Sequence, residues 1–363
     1  MRGKRIGLLL LMATVVLGST AMAEPSPEPS SSGSITAQEK AKLLEEYGLS
    51  DQTLKQLDYQ AAPLIQEIST KGLTKEQVQH YVDGILKANE QTQKIEANRI
   101  KGVVDESVQI TREVKDGQVT LQNGSTIPVP EAGKASQGLA SDVTLAHGPY
   151  YNVDAKVGYR QVTHRVDLPS VLSKTPSGII PYVLGGAYVT NSTNSQYYGG
   201  VDVGAFYEAG VWRLAINGKN QGNTANYWTS STATLPGGTL YLNYSVSANN
   251  QVQIIASDAN YNYITSISYY FPDIYLKADG SNVEMATGFS MAYKNVKSLS
   301  DGSYLLNGHI YDAYVYNSSG YSYMNSSVVV HANKKGTADE QKKVSVNTVS
   351  NYYNYYVSID LRP

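Results

Sequence analysis

Apolar and polar residues alternate at every second position through much of 155–363, and this alternation constrains the fold more than any other feature. In the run 239–246, the even positions carry Leu, Leu, Tyr and Val, whereas the odd positions carry Thr, Tyr, Asn and Ser. A period of two is that of a β-strand whose two faces meet different surroundings. The pattern stops at Ala209-Gly210 and then resumes, which predicts a hairpin made of strands 201–208 and 211–217.

The same alternation recurs in about eleven segments between 156 and 361, and no helical periodicity separates them. Antiparallel sheets produce this pattern because one face of each sheet packs on a core. A segment as long as 304–317 favours the curved sheets of a jelly roll over an immunoglobulin-size module. We therefore predict that 142–363 forms an antiparallel two-sheet jelly-roll sandwich.

A small helical unit is predicted at 36–100. Thr36 with Glu39, and Thr74 with Gln77, have the spacing of a capping box, which opens a helix. Apolar residues at helical spacing follow each box. The predicted fold class is thus mainly β, with a small α-helical unit in front of the sandwich.

Residues 101–141 are predicted to connect the two parts and to contain a short β-meander. Asp116-Gly117 and Asn123-Gly124 are hairpin-turn sequences, and short β-branched segments flank them. Three short strands are marginal alone, so we expect them to pack on a neighbouring element.

The first residues have the features of an export signal. Positive residues precede the apolar run 6–17, and Ala21-Met22-Ala23 is a small-x-small cleavage site, which predicts a signal peptide at 1–23. A Pro/Ser linker follows at 24–35, and no later apolar run is long enough to span a membrane. The chain contains no cysteine, so a lipidated cysteine is excluded. We expect a secreted, extracellular bacterial protein.

Charge and composition narrow the partners. The net charge is -2 and no basic stripe is present, which argues against nucleic acid as a partner. The chain has 30 tyrosines and 3 phenylalanines. Because a tyrosine ring is apolar and its hydroxyl is polar, this bias suits half-wet sheet surfaces.

Three segments carry a resemblance to a known fold family. They are 185–189 (Gly-Gly-Ala-Tyr-Val), 201–218 (the hairpin, with Trp-Arg-Leu in its second strand) and 240–244 (Leu-Tyr-Leu-Asn-Tyr). The pattern resembles the concanavalin A-like lectin/glucanase sandwiches and a group of secreted bacillar proteins of the YrpD type. The resemblance implies a curved jelly roll whose concave face or loop rim meets glycan. It implies no catalytic residues, because the Glu-x-Asp-x-Glu signature of the glucanase branch is missing.

Glycoside hydrolysis needs two carboxylates about 5–10 Å apart. Asp202 and Glu208 are too far apart along one strand to act together, whereas Glu208 and Glu284 could meet across strands. No nucleophile elbow and no cysteine nucleophile are present. We expect no catalytic residues.

No cofactor or metal is expected either. His147, His164, His309 and His331 lack the short spacing of metal ligands. The turns 258–262 and 279–282 carry oxygen ligands that structural calcium could use, but turn chemistry alone accounts for their Asp and Asn residues.

Polar loops with tyrosine and tryptophan are the candidate binding sites, because aromatic faces stack on sugar rings while amides and hydroxyls bond the sugar hydroxyls. Trp228 is the predicted exposed platform, whereas Trp212 alternates with apolar residues and is predicted to lie in the core. The predicted ligand-binding residues are Tyr197, Tyr198, Asn226, Tyr227, Trp228, Tyr321 and Tyr323.

These observations predict a secreted, non-catalytic, lectin-like protein that binds polysaccharide or cell-wall glycan. Two alternatives stay open. One is a glycoside hydrolase or lyase with an unrecognised carboxylate pair. The other is a structural envelope or matrix protein that assembles through strand edges.

Overall fold

The computed structural model describes residues 35–103, 106–115, 118–121, 124–128, 148–173, 179–190, 197–220, 226–293 and 299–363. The predicted signal peptide at 1–23 and nearly all of the predicted linker at 24–35 lie outside these residues. The helices are α1 (Ala37–Glu45), α2 (Asp51–Leu57), α3 (Ala61–Lys71), α4 (Lys75–Ile100) and α5 (Ala338–Lys342), with 3-10 turns at Asp58–Gln60 and Asn351–Tyr353.

The strands, in chain order, are β1 (Gln109–Val114), β2 (Gln118–Thr120), β3 (Thr126–Pro128), β4 (Tyr150–Ala155), β5 (Gln161–Asp167), β6 (Ser170–Leu172), β7 (Ile179–Thr190), β8 (Tyr197–Glu208), β9 (Val211–Asn220), β10 (Asn226–Ser231), β11 (Thr239–Ala248), β12 (Gln251–Asp258), β13 (Tyr263–Tyr270), β14 (Val283–Tyr293), β15 (Tyr304–Asn317), β16 (Gly320–Tyr323), β17 (Val329–Lys335), β18 (Val344–Ser350) and β19 (Asn354–Asp360).

Two large antiparallel sheets make up the sandwich. Sheet I has the strand order β1-β10-β9-β8-β7-β14-β4-β17. Sheet II has the order β13-β12-β11-β5-β15-β19-β18, and β6 and β16 also pair with β15. The predicted fold class, a mainly β antiparallel two-sheet sandwich preceded by a helical unit, is confirmed.

The main core lies between the two sheets and takes one face of each strand. In β11, Leu240, Leu242, Tyr244 and Val246 are at most 1% exposed and all face this core. Trp212 on β9 also lies in it, as predicted. Period-two alternation therefore identified the inner face correctly.

The predicted hairpin at 201–217 is formed by β8 and β9. Glu208 lies opposite Val211, and the two turn residues have positive φ angles, 50° at Ala209 and 89° at Gly210. A two-residue turn of this left-handed kind matches the twist of the strands that it joins.

The helical unit covers the outer face of Sheet II. Thr36 and Thr74 cap α1 and α4 with both reciprocal bonds of a capping box, as predicted. Helix residues such as Leu64 and Tyr81 then form one apolar cluster with Tyr241 of β11 and other outer-face residues of Sheet II. The outward face of β11 is therefore buried beneath helices.

Polar contacts also join the helical unit to the sheet. Glu67 of α3 is fully buried, and its Oε2 accepts hydrogen bonds from both Nη atoms of Arg165 at 3.1 Å and from the hydroxyl of Tyr261. The side-chain amides of Gln161 and Asn243 donate to Oε1 of Gln60 at 2.7 and 2.9 Å. Because buried polar groups need partners, these bonds define one docking position.

The short strands before the sandwich attach to Sheet I. β1 pairs with β10 and becomes the edge strand. The β2–β3 hairpin packs on the outer face of the sheet, where Val119 and Ile127 join Tyr182 and Trp228 in a second apolar cluster. Among the described residues, no helix is long and apolar enough to cross a membrane.

His164 of β5 is a buried titratable group in the main core. Its side chain is 2% exposed and lies edge-on to Tyr244, with ring centroids 5.8 Å apart. Among the described residues, neither ring nitrogen has a hydrogen-bond partner. Burial lowers the pKa of His164 from 6.5 to about 3, so the imidazole is neutral in the folded protein.

Replacing His164 with Leu is expected to increase stability more at about pH 4.5 than at pH 7. Between the two pKa values the unfolded chain binds the proton and the folded chain does not, so stability that is complete above pH 6.5 is lost as the pH falls toward 3. The Leu variant lacks this loss. Urea unfolding at both pH values measures it, and an equal pH dependence in the variant and the parent would contradict the burial argument.

Candidate ligand-binding surface

A group of aromatic side chains lies on the part of Sheet II beside the helical unit. We call it the aromatic strip; its members are His309, Tyr311, Tyr321, Tyr323, Tyr353 and Tyr356. Tyr321 is 40% exposed and Tyr356 is 36% exposed, and the other members are half-buried. A partly exposed tyrosine combines apolar ring atoms with a polar hydroxyl, and carbohydrate recognition uses both.

The alternation of β15 and β19 places His309, Tyr311 and Tyr356 on the outer face. Ile310 of β15 and Tyr355 of β19 point into the main core, so their neighbours His309 and Tyr356 point outward. A bulge at Asp312, where φ is 51°, shifts the register between Tyr311 and Tyr314. The bulge keeps aromatic residues outward along the rest of the strand.

His309 lies at the centre of the first half of the strip. Its ring stacks on Tyr356, with centroids 3.9 Å apart and planes 9° apart, and on Tyr311 at 4.6 Å. Nδ1 lies 3.0 Å from Oδ2 of Asp167, and Nε2 lies 2.9 Å from Oδ1 of Asn354. Both ring nitrogens of His309 thus have hydrogen-bond partners. These partners, Asp167 and Asn354, fix the orientation of the stacked rings.

The second half of the strip is built around Tyr323 of β16. Its ring lies 4.1 Å from Tyr314 and 4.5 Å from Tyr353, centroid to centroid. Tyr321, two residues earlier on the same strand, also contacts Tyr314 at 5.8 Å. These contacts hold the exposed rings in fixed positions, so less side-chain entropy is lost when a ligand binds.

The end of α3 borders the strip and adds polar groups. The hydroxyls of Ser69 and Tyr321 lie 3.4 Å apart, and Lys71 forms a 2.6 Å ion pair with Asp312. Partial burial raises the pKa of Tyr311, so its hydroxyl stays protonated and can donate a hydrogen bond at neutral pH. The surface therefore offers aromatic faces, hydroxyls, a carboxylate and an ammonium group together.

Trp228 does not form the exposed platform that we predicted. The residue lies in strand β10 within Sheet I, where a loop was expected, and it is 1% exposed. Its ring packs edge-on against Phe206 at 4.9 Å and against Tyr182 at 6.2 Å, beneath the β2–β3 hairpin. The prediction was wrong because this polar segment forms an internal strand, between β1 and β9, whose outer face is covered.

The other predicted residues do not form one site with each other. Tyr227 is half-buried and packs on Tyr269 of β13 at 5.7 Å, at one edge of the sandwich, whereas Tyr321 and Tyr323 lie on β16. The side chains of Tyr197, Tyr198 and Asn226 lie outside the described residues. Their ligand-binding roles stay predictions.

Sequence reasoning missed His309, Tyr311 and Tyr356 as members of a binding surface. The signal was present, because alternation in β19 put Tyr356 opposite the core-facing residues. It was ambiguous because the outer faces of β11 and β19 look alike in sequence, and only the first is covered by helices.

The carboxylates considered for hydrolysis are separated by the register of Sheet I. Glu284 of β14 lies opposite Tyr188 of β7, which lies opposite Gly200 of β8. Glu208 is at the far end of β8, about 26 Å along the strand at ~3.3 Å per residue. The Glu208–Glu284 pair is therefore excluded. Asp202, which accepts a 3.1 Å bond from the Tyr188 hydroxyl, is nearer to Glu284.

Hydrogen bonds within the two candidate calcium turns account for their Asp residues. The carboxylate of Asp258 accepts from the backbone N–H groups of Asn260 and Asn262 at 2.8 and 2.9 Å, and that of Asp279 accepts from the N–H of Ser281 at 2.8 Å. Asp residues at turns commonly bond in this way. Among the described residues, no group of three or more His, Asp or Glu side chains is arranged to hold a metal ion.

A groove of about 780 Å³ lies where α2 and α4 meet β11 and β12. Most of its walls are amide and charged side chains, including Asn89, Gln251 and Gln253. Its aromatic residue, Tyr59, is 8% exposed and lies under the guanidinium of Arg160. Among the described residues that line the groove, none is an exposed aromatic ring comparable to Tyr321 or Tyr356.

Comparison with known proteins gives no family. No protein-family profile and no curated protein matches the sequence. Similar solved structures include SCP-B, a member of the Eqolisin family of peptidases, at 7% identity and a TM-score of 0.38, which covers 58% of this chain and 98% of that chain. Scytalido-glutamic peptidase with a transition state analog inhibitor is similar at 8% identity and a TM-score of 0.39, with the same coverages of 58% and 98%.

The enzymatically active domain of tailspike protein 2 from bacteriophage CBA120 is also similar. Its identity is 8% and its TM-score 0.28, and the match covers 62% of this chain and 31% of that chain. Because all of these TM-scores lie below 0.5, the likenesses carry no inference about function.

Proposed function

We propose that this protein is a secreted, non-catalytic protein that binds polysaccharide or cell-wall glycan through the aromatic strip. The observation that carries the proposal is the pair of exposed rings, Tyr321 at 40% and Tyr356 at 36%, on the outer face of Sheet II. Tyr356 is held by stacking on His309, and Tyr321 by an edge-on contact with Tyr314. A strip of several rings along a sheet suits an extended polymer, because the rings can contact successive sugars. The predicted signal peptide at 1–23 supports export to where such polymers occur.

The polar groups beside the rings supply the second requirement for sugar recognition. Asp167, Asn354 and Asp312 lie next to His309 or to the end of α3, and each carries oxygens that can accept bonds from sugar hydroxyls. A sugar ring beside Tyr356 would have Asp167 and Asn354 nearby, because both bond the His309 ring that stacks on Tyr356. The combination of stacking and edge bonding is typical of small-molecule recognition with few polar contacts.

Truncation of a single ring of the strip is expected to reduce retention on glycan. Tyr356→Ala and Tyr321→Ala should each weaken binding of the full chain to insoluble polysaccharides or cell-wall sacculi about tenfold, since a central aromatic contact contributes ~1.4 kcal/mol or more. Tyr275→Ala is the matched control: this ring is 64% exposed but lies outside the strip. Co-sedimentation with the polysaccharide measures the effect.

The same co-sedimentation samples, assayed also for released reducing sugar, distinguish the alternative functions. Release of reducing sugar would favour a hydrolase and would direct attention to Asp202 and Glu284. Equal loss of retention in Tyr275→Ala and the strip variants would contradict the assignment of the strip. If no polysaccharide and no sacculus retains the parent protein, the glycan-binding proposal is wrong and assembly through strand edges becomes the better explanation.

A further inference from the structure

A cavity of about 230 Å³ lies on the outer face of Sheet I, away from the aromatic strip. Its walls include Arg112 of β1, Phe206 and Glu208 of β8, Arg213 of β9, and Trp228 and Ser230 of β10. Strand register brings them together, because Phe206 lies opposite Arg213 and Trp228 lies opposite Arg112. Four adjacent strands thus place charged and aromatic side chains around one space.

The two arginines of the cavity are used differently. Arg112 donates to both carboxylate oxygens of Glu106, at 2.5 and 3.3 Å, so its charge is balanced. Arg213 donates from Nη1 to the backbone carbonyl of Thr232, and this neutral acceptor does not balance the charge. A guanidinium has five N–H donors in a planar fork that fits a carboxylate. Arg213 is therefore the group in the cavity best suited to bind an anion.

Trp228 supplies an independent observation. Its side chain is 1% exposed, and its indole N–H has no acceptor among the described residues. A buried donor without an acceptor is unfavourable, and nearly all such groups in proteins have a partner. Trp228 lines the cavity, so a bound molecule whose acceptor reaches the indole N–H would satisfy it.

Glu208 adds a negative charge to the cavity that holds Arg213. It lies on β8 two residues beyond Phe206, diagonal to Arg213, and its Oε1 lies 3.5 Å from the hydroxyl of Ser125. Residues in such diagonal pairs are about 7–8 Å apart, which is the span of a small molecule with unlike ends. Phe206 and the Trp228 ring provide the apolar part of the cavity wall.

We propose that this cavity binds a small organic acid whose carboxylate pairs with Arg213 and whose hydroxyl or ammonium group donates to Glu208. The volume limits the ligand, since cavities for drug-sized molecules measure about 300–1,000 Å³. A single sugar acid or a single amino acid has both the charge pattern and the size. The site is independent of the aromatic strip, so either assignment can fail without the other.

Tryptophan fluorescence provides a direct test, because the chain has 2 tryptophans and one of them lines the cavity. In a Trp212→Phe background, Trp228 is the only reporter. Titration of the full chain with glucuronate and with leucine should give a saturable change in Trp228 emission for at least one of them. Saturation by glucuronate identifies a sugar acid and saturation by leucine an amino acid, whereas neutral glucose should give no change.

Variants decide whether the signal comes from the proposed contact. Arg213→Gln should weaken the interaction at least tenfold, and Arg213→Lys, which keeps the charge but loses the fork, should weaken it less. Arg362→Gln is the matched control, because Arg362 pairs with Asp360 at the surface of Sheet II. The proposal is overturned if neither acid saturates the signal, if glucose matches them, or if Arg213→Gln binds as the parent does. If Arg213→Gln does not fold, Arg213→Lys and Glu208→Gln replace it in the titration. Parent-like binding in both variants would then overturn the proposal.

Discussion

Replacement of Arg165 by Met is expected to lower the free energy of unfolding by about 3–5 kcal/mol, the largest loss that we foresee for a polar substitution. Glu67 is 0% exposed and accepts from both Nη atoms of Arg165 at 3.1 Å. Without the guanidinium, the Tyr261 hydroxyl is the only hydrogen-bond partner that the described residues offer the buried carboxylate. A buried charge without its counterion is costly because it has lost water and gained no equivalent interaction.

The double variant Arg165→Met/Glu67→Leu tests whether the loss of stability comes from leaving the Glu67 carboxylate without its counterion. Removing both charges should recover much of the lost stability, since replacing a buried ion pair with apolar residues is often nearly neutral. Urea unfolding of the full chain measures both variants. Arg362→Met, at an exposed ion pair with Asp360, should leave the midpoint unchanged. Equal losses in the single and double variants would show that the ion pair does not hold the helical unit to Sheet II.

Trp228→Ala is expected to lower the free energy of unfolding by about 3–5 kcal/mol while leaving the glycan affinity of the folded protein unchanged. The indole is 1% exposed and packs on Phe206 and Tyr182, and the β2–β3 hairpin covers it. Its removal leaves a cavity and deprives the hairpin of its packing surface. An exposed platform would behave in the opposite way, with normal stability and lost binding.

Tyr321→Ala is the matched comparison for Trp228→Ala. This ring is 40% exposed, so its truncation should change stability little and reduce retention on glycan. Unfolding curves and polysaccharide co-sedimentation, measured at a temperature where both variants are folded, compare the two residues directly. Lost retention in folded Trp228→Ala would contradict the position of the indole away from the glycan surface.

The inner faces of the strands could be predicted from the sequence with good accuracy. Leu240, Leu242 and Tyr244 alternate with polar residues, and they are buried between the sheets. The turn at Ala209-Gly210 was equally readable, because it separates two alternating runs. Segment 226–231 was not, since Trp228 and Ser230 on one face and Tyr227 and Thr229 on the other show no contrast in polarity. Burial on both faces removes the alternation on which such predictions depend.

The candidate site was predictable only in part. Tyr321 and Tyr323 were recognised from their composition as surface aromatics, whereas their neighbours His309 and Tyr356 come from β15 and β19. Pairing of β15 with β19 brings the latter two rings to 3.9 Å. This proximity follows from the order of the strands in the sheet. Strand order cannot be read from the sequence pattern.

The sequence by itself determined that this chain forms capped helices followed by strands with one apolar face, because helix caps and period-two alternation are local properties. The tertiary structure alone decided what covers the second face of each sheet. Contacts such as Glu67 with Arg165, which lie 98 residues apart, place the helical unit over β11 and leave the aromatic strip uncovered. Alternation shows that a strand has two faces, but it cannot show whether the outer face meets water, a ligand or another part of the chain.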